Sequence, residues 1–490
     1  MPSTLAPVPS VAHAQAYRPP SPSAIVDLQL GGTERPVLSE QLRQLTLQVN
    51  ADVFCRYPDA ASLRELLARR FGIAPAGVLV TAGSDEAIDR ACRAFLGPGD
   101  ELVAPTPTFE MISHYAGLTG ATVRRVAWTE GDWPLRAVLA ACGAKTRAVA
   151  VVTPNNPSGA VATAEDLEQL AKAQPQALVL VDMAYGEYAD EDITPRMLAL
   201  PNVVMTRTLS KAWGMPGLRV GYALGAPDVI GWMTAAGGPY AVSRPSLTLA
   251  SAWLQQGEQD MRGYVTRIRQ ERALLRDLLV ELGARVEPSQ ANFVLARFDN
   301  PGWVRDALHG LGIGVRAFPT EPSLSDALRI TCPGDAVSFE RLLAALRAVL
   351  RPAALLWRVE GGLFAPEGHL RVDPAVLRRL AGTYRLGAIS AQAEGEVSGW
   401  LRRAGIAELF PRPISVADAS AAGDAVALCQ QRAHAGPAWM VVGSADDVPA
   451  ARGHGVVPIA LAGSADAPGL EVAGVARTIH RAEDLLELHS

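Results

Sequence analysis

The chain has 490 residues, of which 49% are hydrophobic and 19% charged, and its formal net charge is -5. This length exceeds what a single hydrophobic core usually supports, so two or three domains are expected. A small net charge without a block of like charge argues against nucleic acid or an anionic membrane surface as the main partner. No stretch approaches the roughly 18 uninterrupted apolar residues of a membrane span.

The N-terminal residues and the cysteines bear on location. Residues 1–24 are rich in Pro, Ser and Ala but lack both a basic start and a continuous apolar segment. We therefore expect a flexible arm over about residues 1–30 and no signal peptide. The five cysteines lie far apart, as is typical of free thiols in a reducing compartment: Cys55, Cys92, Cys142, Cys332 and Cys429. The protein is expected to be cytoplasmic.

Helix and strand patterns alternate from about residue 60 to 225. Repeated βα units imply a largely parallel sheet whose site lies at the carboxyl ends of the strands. Helices are predicted at Ser62 to Arg70, Asp85 to Phe95 and Gln259 to Leu282, and strands at Val78 to Thr81, Leu102 to Ala104, Arg147 to Thr153, Ala177 to Val181 and Val203 to Thr206. Residues 284–350 predict a second α+β lobe. After Pro352 the apolar run Ala354 to Trp357 predicts the start of another domain.

Lys211 is one of only three lysines in a chain with 45 Lys and Arg residues. An ε-amine can lose its proton and form a Schiff base with an aldehyde, whereas a guanidinium stays protonated. A lysine retained where other cations have become arginine therefore favours a covalent role, with chance retention as the alternative.

Polar residues follow several of the predicted strands. Thr81 to Glu86 joins a strand to a helix, and its amides could hold a phosphate, although Ser84 and Asp85 could equally be plain helix caps. The loop Thr153 to Gly159 has the composition of a loop that fixes an amide side chain at a site. Asp182 ends an apolar strand, where a carboxylate needs a partner such as a protonated ring nitrogen.

Six motifs occur in one order and together resemble the histidinol-phosphate aminotransferase branch of the fold-type I pyridoxal-phosphate enzymes. They are Arg56 to Asp59, Gly83 to Glu86, Pro154 to Gly159, Asp182 to Tyr185, Thr208 to Lys211 and Pro322 to Arg329. The resemblance covers about residues 25–350. It implies an α/β fold: a large domain with a mostly parallel sheet (about 55–255), and a small α+β domain (about 31–54 and 256–350).

The resemblance also implies site residues and pyridoxal 5'-phosphate as cofactor. Lys211 looks like the Schiff-base lysine that also moves the substrate proton, and Asp182 like the partner of the pyridine nitrogen. Asn156 and Tyr185 would hydrogen-bond the phenolic oxygen. The cofactor phosphate and ring would be held by Gly83, Ser84, Asp85, Ser210, Arg219 and the stacking Phe109, with Tyr57 reaching in from the other subunit of a homodimer. No metal ligands are expected.

Two arginines match substrate-binding positions. Arg329 resembles the arginine that binds the carboxylate of the amino donor, and Arg316 the one that helps bind the substrate phosphate, although Arg316 alone could be a surface charge. Three features depart from the family: Phe109 replaces a tyrosine, Leu30 to Pro36 replaces an Asn-Glu-Asn-Pro segment, and Arg18-Pro19-Pro20 lacks a tyrosine. The identity of the substrate is therefore left open.

Residues 353–490 resemble a Rossmann-like, haloacid-dehalogenase-type phosphatase domain. Leu355 to Leu363 is similar to its first motif, but Arg358 stands at the nucleophile position and Glu360 at the acid position. Ala388 to Ser390 and Met440 to Asp447 resemble later motifs, and this region has no lysine. Without a carboxylate nucleophile we expect a catalytically inactive domain. A generic Rossmann-like accessory domain is the alternative.

The leading functional prediction is transamination of histidinol phosphate or a related amino compound with 2-oxoglutarate or glutamate. A threonine-phosphate type decarboxylase shares the scaffold and most cofactor residues. A bifunctional transaminase and phosphatase, and a non-catalytic regulatory protein, are the further alternatives.

Overall fold

The computed structural model describes residues 7–12, 14, 16, 23–35, 39–47, 50–416, 422–432, 436–463 and 467–488. Arg18-Pro19-Pro20 and Pro36, two of the departures noted above, lie outside the described residues. Among the helices in the part of the chain that the structure describes, none is both long and apolar enough to cross a membrane.

The N-terminal half forms a large domain. It is preceded by α1 (Pro9–Ala12), β1 (Leu28–Gln29), α2 (Glu40–Thr46) and α3 (Ala61–Phe71). The domain then contains β2 (Val78–Thr81), α4 (Gly83–Phe95), β3 (Glu101–Thr106), α5 (Glu110–Leu118), β4 (Thr122–Ala127), α6 (Leu135–Ala141), β5 (Thr146–Val152), α7 (Ala164–Ala173), β6 (Leu178–Asp182), α8 (Thr194–Leu198), β7 (Val203–Thr208), β8 (Gly221–Gly225), α9 (Pro227–Ala235) and α10 (Arg244–Gln256).

The remaining elements form a small domain and a C-terminal domain. The small domain contains α11 (Glu258–Glu281), β9 (Arg285–Val286), β10 (Phe293–Arg297), α12 (Pro301–Gly310), β11 (Ile313–Gly314), β12 (Arg316–Ala317), β13 (Ala327–Thr331) and α13 (Ala336–Leu350). The C-terminal domain contains β14 (Ala354–Arg358), α14 (Pro374–Thr383), β15 (Arg385–Ser390), α15 (Glu394–Arg403), β16 (Ile414–Ser415), α16 (Ala422–Arg432), β17 (Ala438–Val442), α17 (Asp447–Gly453), β18 (Val457–Leu461), α18 (Ala467–Ala473) and β19 (Arg477–Ile479).

The large domain is built on a seven-stranded sheet with the order β2-β8-β7-β6-β5-β3-β4. All neighbouring strands are parallel except β8, which is antiparallel to both β2 and β7. The inner strands are buried on both faces, which explains the apolar runs Ala148 to Val152 in β5 and Leu178 to Val181 in β6. The predicted α/β fold with a parallel-rich sheet is confirmed, and helix α4 begins two residues earlier than its pattern predicted.

The small domain contains a four-stranded antiparallel sheet with the order β12-β13-β10-β9. Part of the predicted N-terminal arm is attached to this domain, because Leu28 of β1 pairs in parallel with Ile313 of β11. Leu28 and Leu30 are buried, and their alternation places both side chains in the core. These contacts fix the path of the chain directly before residues 31–35.

The C-terminal domain has a six-stranded, all-parallel sheet with the order β16-β15-β14-β17-β18-β19. One face packs against residues of α16, α17 and α18. On the other face, the fully buried Trp439 donates its indole N–H to the carbonyl of Ala348 in α13 at 2.8 Å. Its ring meets Trp303 of α12 edge-on, with centroids 4.9 Å apart. Helices of the small domain thus cover part of this sheet.

Polar contacts reinforce this junction. Arg452 donates to the carbonyl of Gly310 at 2.9 Å, and Arg477 pairs with Asp306 at 2.7 Å. A Cβ added to Gly310 would lie 2.9 Å from the backbone of Ala476, so the two chain segments touch directly. The apolar residues of the small domain and of this sheet face belong to one continuous core.

Candidate active site

The polar residues that follow the strands of the large domain converge on one edge of its sheet. Strand β8 is antiparallel, so its first residue lies beside the last residues of its neighbours. The registered pairs at this edge are Val152 with Asp182, Asp182 with Thr206, Thr208 with Gly221, and Gly221 with Thr81. The motifs around Ser84, Asn156, Asp182, Lys211 and Arg219 are adjacent to these pairs.

The N-terminus of α4 forms a cradle of closely packed backbone. Gly83 has a φ of 80°, and a Cβ there would lie 2.7 Å from the Arg219 guanidinium. A Cβ on Gly221 would lie 2.3 Å from the Gly83 carbonyl carbon. Ser84 and Asp85 lie inside the helix, past the N-cap position, so the alternative that they cap it is wrong.

Arg219 and Ser210 lie at the same edge. Arg219 donates to the Asp85 carboxylate at 2.8 Å and has a φ of 50°, in the left-handed region that non-glycine residues rarely adopt. Such strain is often kept where function needs it. The Ser210 hydroxyl is buried and accepts from the Thr208 hydroxyl at 2.9 Å. The N-terminal amides of α4, a guanidinium and a hydroxyl therefore lie where an anion could be bound.

Asp182 is buried at the end of β6. The Thr206 hydroxyl donates to its carboxylate at 2.9 Å. Burial raises the pKa of Asp182 to about 7, against the lowering effect of the Thr206 hydrogen bond. A carboxyl group in this position favours a proton or a cationic partner, and a protonated ring nitrogen would supply either.

Lys211 directs its amine at a residue that the sequence analysis did not assign. Its Nζ donates to the Thr33 hydroxyl at 2.5 Å, and the Tyr185 hydroxyl donates to the same oxygen at 2.9 Å. Nζ also lies 5.8 Å from the centroid of the Tyr185 ring. Thr33 belongs to the segment that departs from the family pattern, and no local signal in the sequence pointed to its role.

The two consecutive asparagines of the loop after β5 have different roles. Asn155 is fully buried and holds the loop, since its amide donates to Pro107 O at 3.0 Å and to Ser158 Oγ at 2.9 Å. Asn156 instead accepts a hydrogen bond from Arg329. The predicted site residue Asn156 therefore faces the site, and its neighbour supports the loop.

Arg316 and Arg329 lie side by side on the small-domain sheet. They are Cα partners across β12 and β13. Their guanidinium carbons lie 5.8 and 5.9 Å from the ring centroid of Phe318, so one aromatic ring contacts both cations. Arg329 also donates to the carbonyl of Gly31 at 2.8 Å. Two positive charges on one face provide a place for an anionic group.

Phe109 and Tyr57 are the two other predicted cofactor residues. Phe109 lies between β3 and α5, directly before α5, and is partly buried against apolar residues of the large domain. Tyr57 is 79% exposed and stacks on Tyr240, with ring centroids 4.9 Å apart. Its position on the surface is compatible with a contact to another chain.

A second polar cluster lies at the carboxyl edge of the C-terminal sheet. Arg358 pairs with Glu360 at 3.1 Å and with Asp447 at 3.7 Å. The Ser390 hydroxyl donates to Glu360, and the amides of Gly443 and Ser444 donate to Asp447. Within the described residues, no group of three or more His, Cys, Asp and Glu side chains could hold a metal ion.

The cluster at the edge of the large-domain sheet, from Thr33 to Arg329, is called the first cluster. It fits the pyridoxal 5'-phosphate expected from the sequence. The absence of side chains at Gly83 and Gly221 lets Arg219 and the start of α4 pack closely, which brings a guanidinium beside the N-terminal amides of a helix, as a phosphate would require. The buried Asp182, with its raised pKa, suits a ring nitrogen that carries a proton. Lys211 has an amine within the same site.

Known proteins resemble this chain in fold and in sequence. Histidinol-phosphate aminotransferase from Sinorhizobium meliloti, solved in complex with pyridoxal-5'-phosphate, has a TM-score of 0.64 and 24% identity, covering 70% of this chain and 97% of that one. Histidinol-phosphate aminotransferase from Paracoccus denitrificans is 34% identical over 351 residues, which are 69% of this chain and 95% of the relative. The enzyme of the same name from Pectobacterium carotovorum is 36% identical over 317 residues, 62% of this chain and 87% of the relative.

A family model described as "Aminotransferase class I and II" matches residues 31–346. This match ends within α13, so it contains the large domain and most of the small domain but not the C-terminal sheet. It includes every residue of the first cluster, from Thr33 to Arg329. The chain therefore belongs to the class I and II aminotransferases, and its reaction is transamination with pyridoxal 5'-phosphate as cofactor.

Proposed function

We propose that this aminotransferase acts on histidinol phosphate or a closely related phosphorylated amino compound, with 2-oxoglutarate and glutamate as the second pair. The observation that carries the proposal is the opposed pair of Arg316 and Arg329 around Phe318. Arg329 would bind the carboxylate of glutamate and Arg316 the phosphate of the other substrate. The names of the relatives support the same substrate class.

Lys211 and the buried Asp182 would perform the proton chemistry. The bound cofactor supplies an aldehyde for the amine and a ring that withdraws electrons from the substrate. Lys211 would hold the cofactor through its Nζ, with the aldehyde oxygen leaving as water, and when free its amine would move the proton at the substrate Cα. Asp182 would keep a proton on the ring nitrogen, since its buried carboxylate is stabilised by a positive partner.

The remaining residues of the cluster would hold the cofactor in place. Its phosphate would be bound by the amides of Gly83, Ser84 and Asp85, the Ser210 hydroxyl and Arg219. Tyr185 and Asn156 would donate to the phenolic oxygen, and Phe109 would stack on the ring. The positive φ of Gly83 and the close approach of Gly221 to the Gly83 backbone support the phosphate position, since a side chain at either glycine would displace Arg219 or the start of α4.

A homodimer is part of the proposal. Tyr57 would reach the phosphate site of the second subunit, and its exposure supports this assignment. Other large apolar side chains exposed in the same region are Leu47, Phe54 and Tyr240. Sedimentation of the wild type and of Tyr57→Ala at matched concentrations would test whether the chain is dimeric, and titration of both proteins with pyridoxal phosphate would test whether this residue affects cofactor affinity. All five cysteines are free, which supports the expected cytoplasmic location.

The C-terminal domain is proposed to be a catalytically inactive, haloacid-dehalogenase-like domain. Arg358 is the last residue of strand β14 and stands at the position where such phosphatases have a carboxylate nucleophile. The ion pairs of Arg358 with Glu360 and Asp447 support this assignment, because both acids are already neutralised by a fixed cation. A structural role on the small domain is supported by the shared core.

One assay separates the proposed transaminase from a decarboxylase. The holoenzyme is given 2-oxoglutarate with phosphorylated, aromatic and acidic amino compounds, and glutamate and carbon dioxide are measured separately. We expect glutamate from histidinol phosphate above all, without carbon dioxide. Carbon dioxide from a phosphorylated amino acid would instead support the decarboxylase.

A second assay tests the inactive domain. Phosphate release from histidinol phosphate is measured for the wild type and for Lys211→Ala, which removes the transamination amine. We expect none from either protein. Phosphate released by Lys211→Ala would overturn the inactive assignment and support a bifunctional enzyme.

A further inference from the structure

Thr33 connects the two groups on which the chemistry depends. Its hydroxyl oxygen accepts from Lys211 Nζ at 2.5 Å and from the Tyr185 hydroxyl at 2.9 Å. A hydroxyl has two acceptor lone pairs, so one threonine can satisfy both donors at once. Thr33 is 5% exposed, so little water competes for these bonds. Its position therefore determines where the free amine points.

Thr33 is itself held by the small domain. Its carbonyl accepts from the buried Asn292 amide at 2.9 Å. The preceding residues are bound to β13: the Thr331 amide donates to Leu30 O at 3.1 Å, and the Thr331 hydroxyl donates to Gly32 O. Backbone hydrogen bonds on both sides of a short segment leave its side chain little freedom.

The same segment reaches the proposed substrate arginine. Arg329 donates to Gly31 O at 2.8 Å, two residues before Thr33. A Cβ on Gly31 would lie 3.3 Å from the Val315 backbone, so the segment also passes close to β12. The segment from Gly31 to Thr33 therefore contacts Arg329 through the Gly31 carbonyl and the Lys211 amine through the Thr33 hydroxyl.

We propose that Thr33 is a positioning residue for this reaction. Its hydroxyl holds the free Lys211 amine against Tyr185, ready for attachment of the cofactor and for proton transfer at the substrate Cα. Its fixed anchor in the small domain places the amine relative to Arg329. This inference rests on the proposed roles of Lys211 and Arg329. Held groups react faster than mobile ones because less orientational freedom is lost in the transition state.

The test compares three substitutions at position 33 with one elsewhere. Thr33→Val keeps the shape and removes the hydroxyl, Thr33→Ser keeps the hydroxyl, and Thr33→Ala serves if valine does not fold. Thr194→Val is the matched control. Thr194 is also a buried threonine, and its hydroxyl contacts Asp192 and Arg207 instead. Thermal unfolding of each cofactor-free protein checks that all are folded.

Two readouts are used. Cofactor-free protein is mixed with pyridoxal 5'-phosphate, and its capture at Lys211 is followed by absorbance and by borohydride trapping with peptide mapping. Steady-state kinetics then give kcat and KM for the amino donor. We expect Thr33→Val to slow capture and lower kcat about tenfold, as for the loss of one oriented hydrogen bond, with KM within about twofold. Thr33→Ser should recover most of both, and Thr194→Val should resemble the wild type.

Capture and kcat in Thr33→Val equal to those in Thr194→Val would overturn the positioning role. So would a rise in KM with kcat unchanged, because that pattern indicates a substrate contact. If the wild type itself traps no cofactor at Lys211, the proposed function fails with the inference. If the wild type traps cofactor normally and only the position-33 effect is missing, the proposed function stands.

Discussion

Arg316 and Arg329 are directly opposed across an antiparallel strand pair, and the ring of Phe318 contacts both guanidiniums. Like charges placed directly opposite in a sheet repel each other. An anion bound beside them would offset that repulsion. We therefore expect the two arginines to contribute to the choice of an anionic substrate, and each can be tested separately.

Replacing Arg329 should affect the substrate and not the cofactor. We expect Arg329→Ala to lower kcat/KM for dicarboxylate substrates about tenfold to a hundredfold, as for the loss of a charge-assisted hydrogen bond. Arg329→Lys keeps the charge but loses bidentate geometry and should be intermediate. Arg316→Ala, the matched control, should mainly weaken the phosphorylated substrate. Loss of bound cofactor in Arg329→Ala, read from its absorbance, would contradict the assigned role.

A methyl group at Gly221 should disrupt the phosphate cradle. The added Cβ would lie 2.3 Å from the Gly83 carbonyl carbon and 2.5 Å from the Ser84 amide, both rigid backbone atoms. We expect Gly221→Ala to weaken pyridoxal phosphate binding at least tenfold and to lower the melting temperature. In the control Gly231→Ala, the added methyl meets open space on α9, and stability should stay equal or rise by about 0.5–1 kcal/mol. Unchanged cofactor titration in Gly221→Ala would argue against the cradle.

The stability of the cofactor-free chain should depend on pH through Asp182. Burial raises the pKa of this carboxyl from 3.8 to about 7. Between these values the folded chain holds a proton that the unfolded chain has lost. The stabilising contribution is therefore complete below the unfolded value and is lost as the pH rises to about 7, by at most about 1.4 kcal/mol per pH unit.

Urea unfolding at several pH values from 5 to 8 measures this dependence. Asp182→Asn cannot titrate, so its free energy of unfolding should decrease less with rising pH than that of the wild type. Added pyridoxal phosphate should reduce the wild-type dependence, because a protonated ring nitrogen favours the charged carboxylate. Identical slopes for the wild type and Asp182→Asn would show that this carboxyl does not titrate in that range.

The C-terminal domain should not unfold independently of the aminotransferase. Trp439 packs edge-on against Trp303 and donates to Ala348 O, so its removal opens the shared core. We expect Trp439→Ala to cost about 3–5 kcal/mol, and Trp439→Phe less, because it keeps a ring. Calorimetry should show a single unfolding transition, and its midpoint temperature should fall in Trp439→Ala. Two transitions, of which only one shifts in Trp439→Ala, would indicate independent domains.

Much of the fold followed from local sequence patterns. The apolar runs Ala148 to Val152 in β5 and Leu178 to Val181 in β6, with the helical patterns between strands, predicted a parallel sheet with a site at its carboxyl edge. Asp182 was singled out because a carboxylate ends an apolar strand, and Lys211 because it is one of only three lysines in the chain.

The asparagines and the helix start illustrate what a local pattern leaves undetermined. Asn155 and Asn156 are neighbours with identical side chains, and only the folded loop directs one inward to Pro107 and the other to Arg329. Ser84 and Asp85 were equally good caps by composition. The early start of α4 at Gly83 places both inside the helix instead.

The sequence by itself determined the βα architecture, because hydrophobic periodicity is a local property, and its motifs supplied the candidate site residues through their resemblance to a known family. Only the tertiary structure decided that Thr33 receives the Lys211 amine across 178 residues of chain, and that α12 and α13 cover part of the C-terminal sheet. The physical reason is that such contacts depend on packing between distant segments. No pattern in either segment alone specifies its partner.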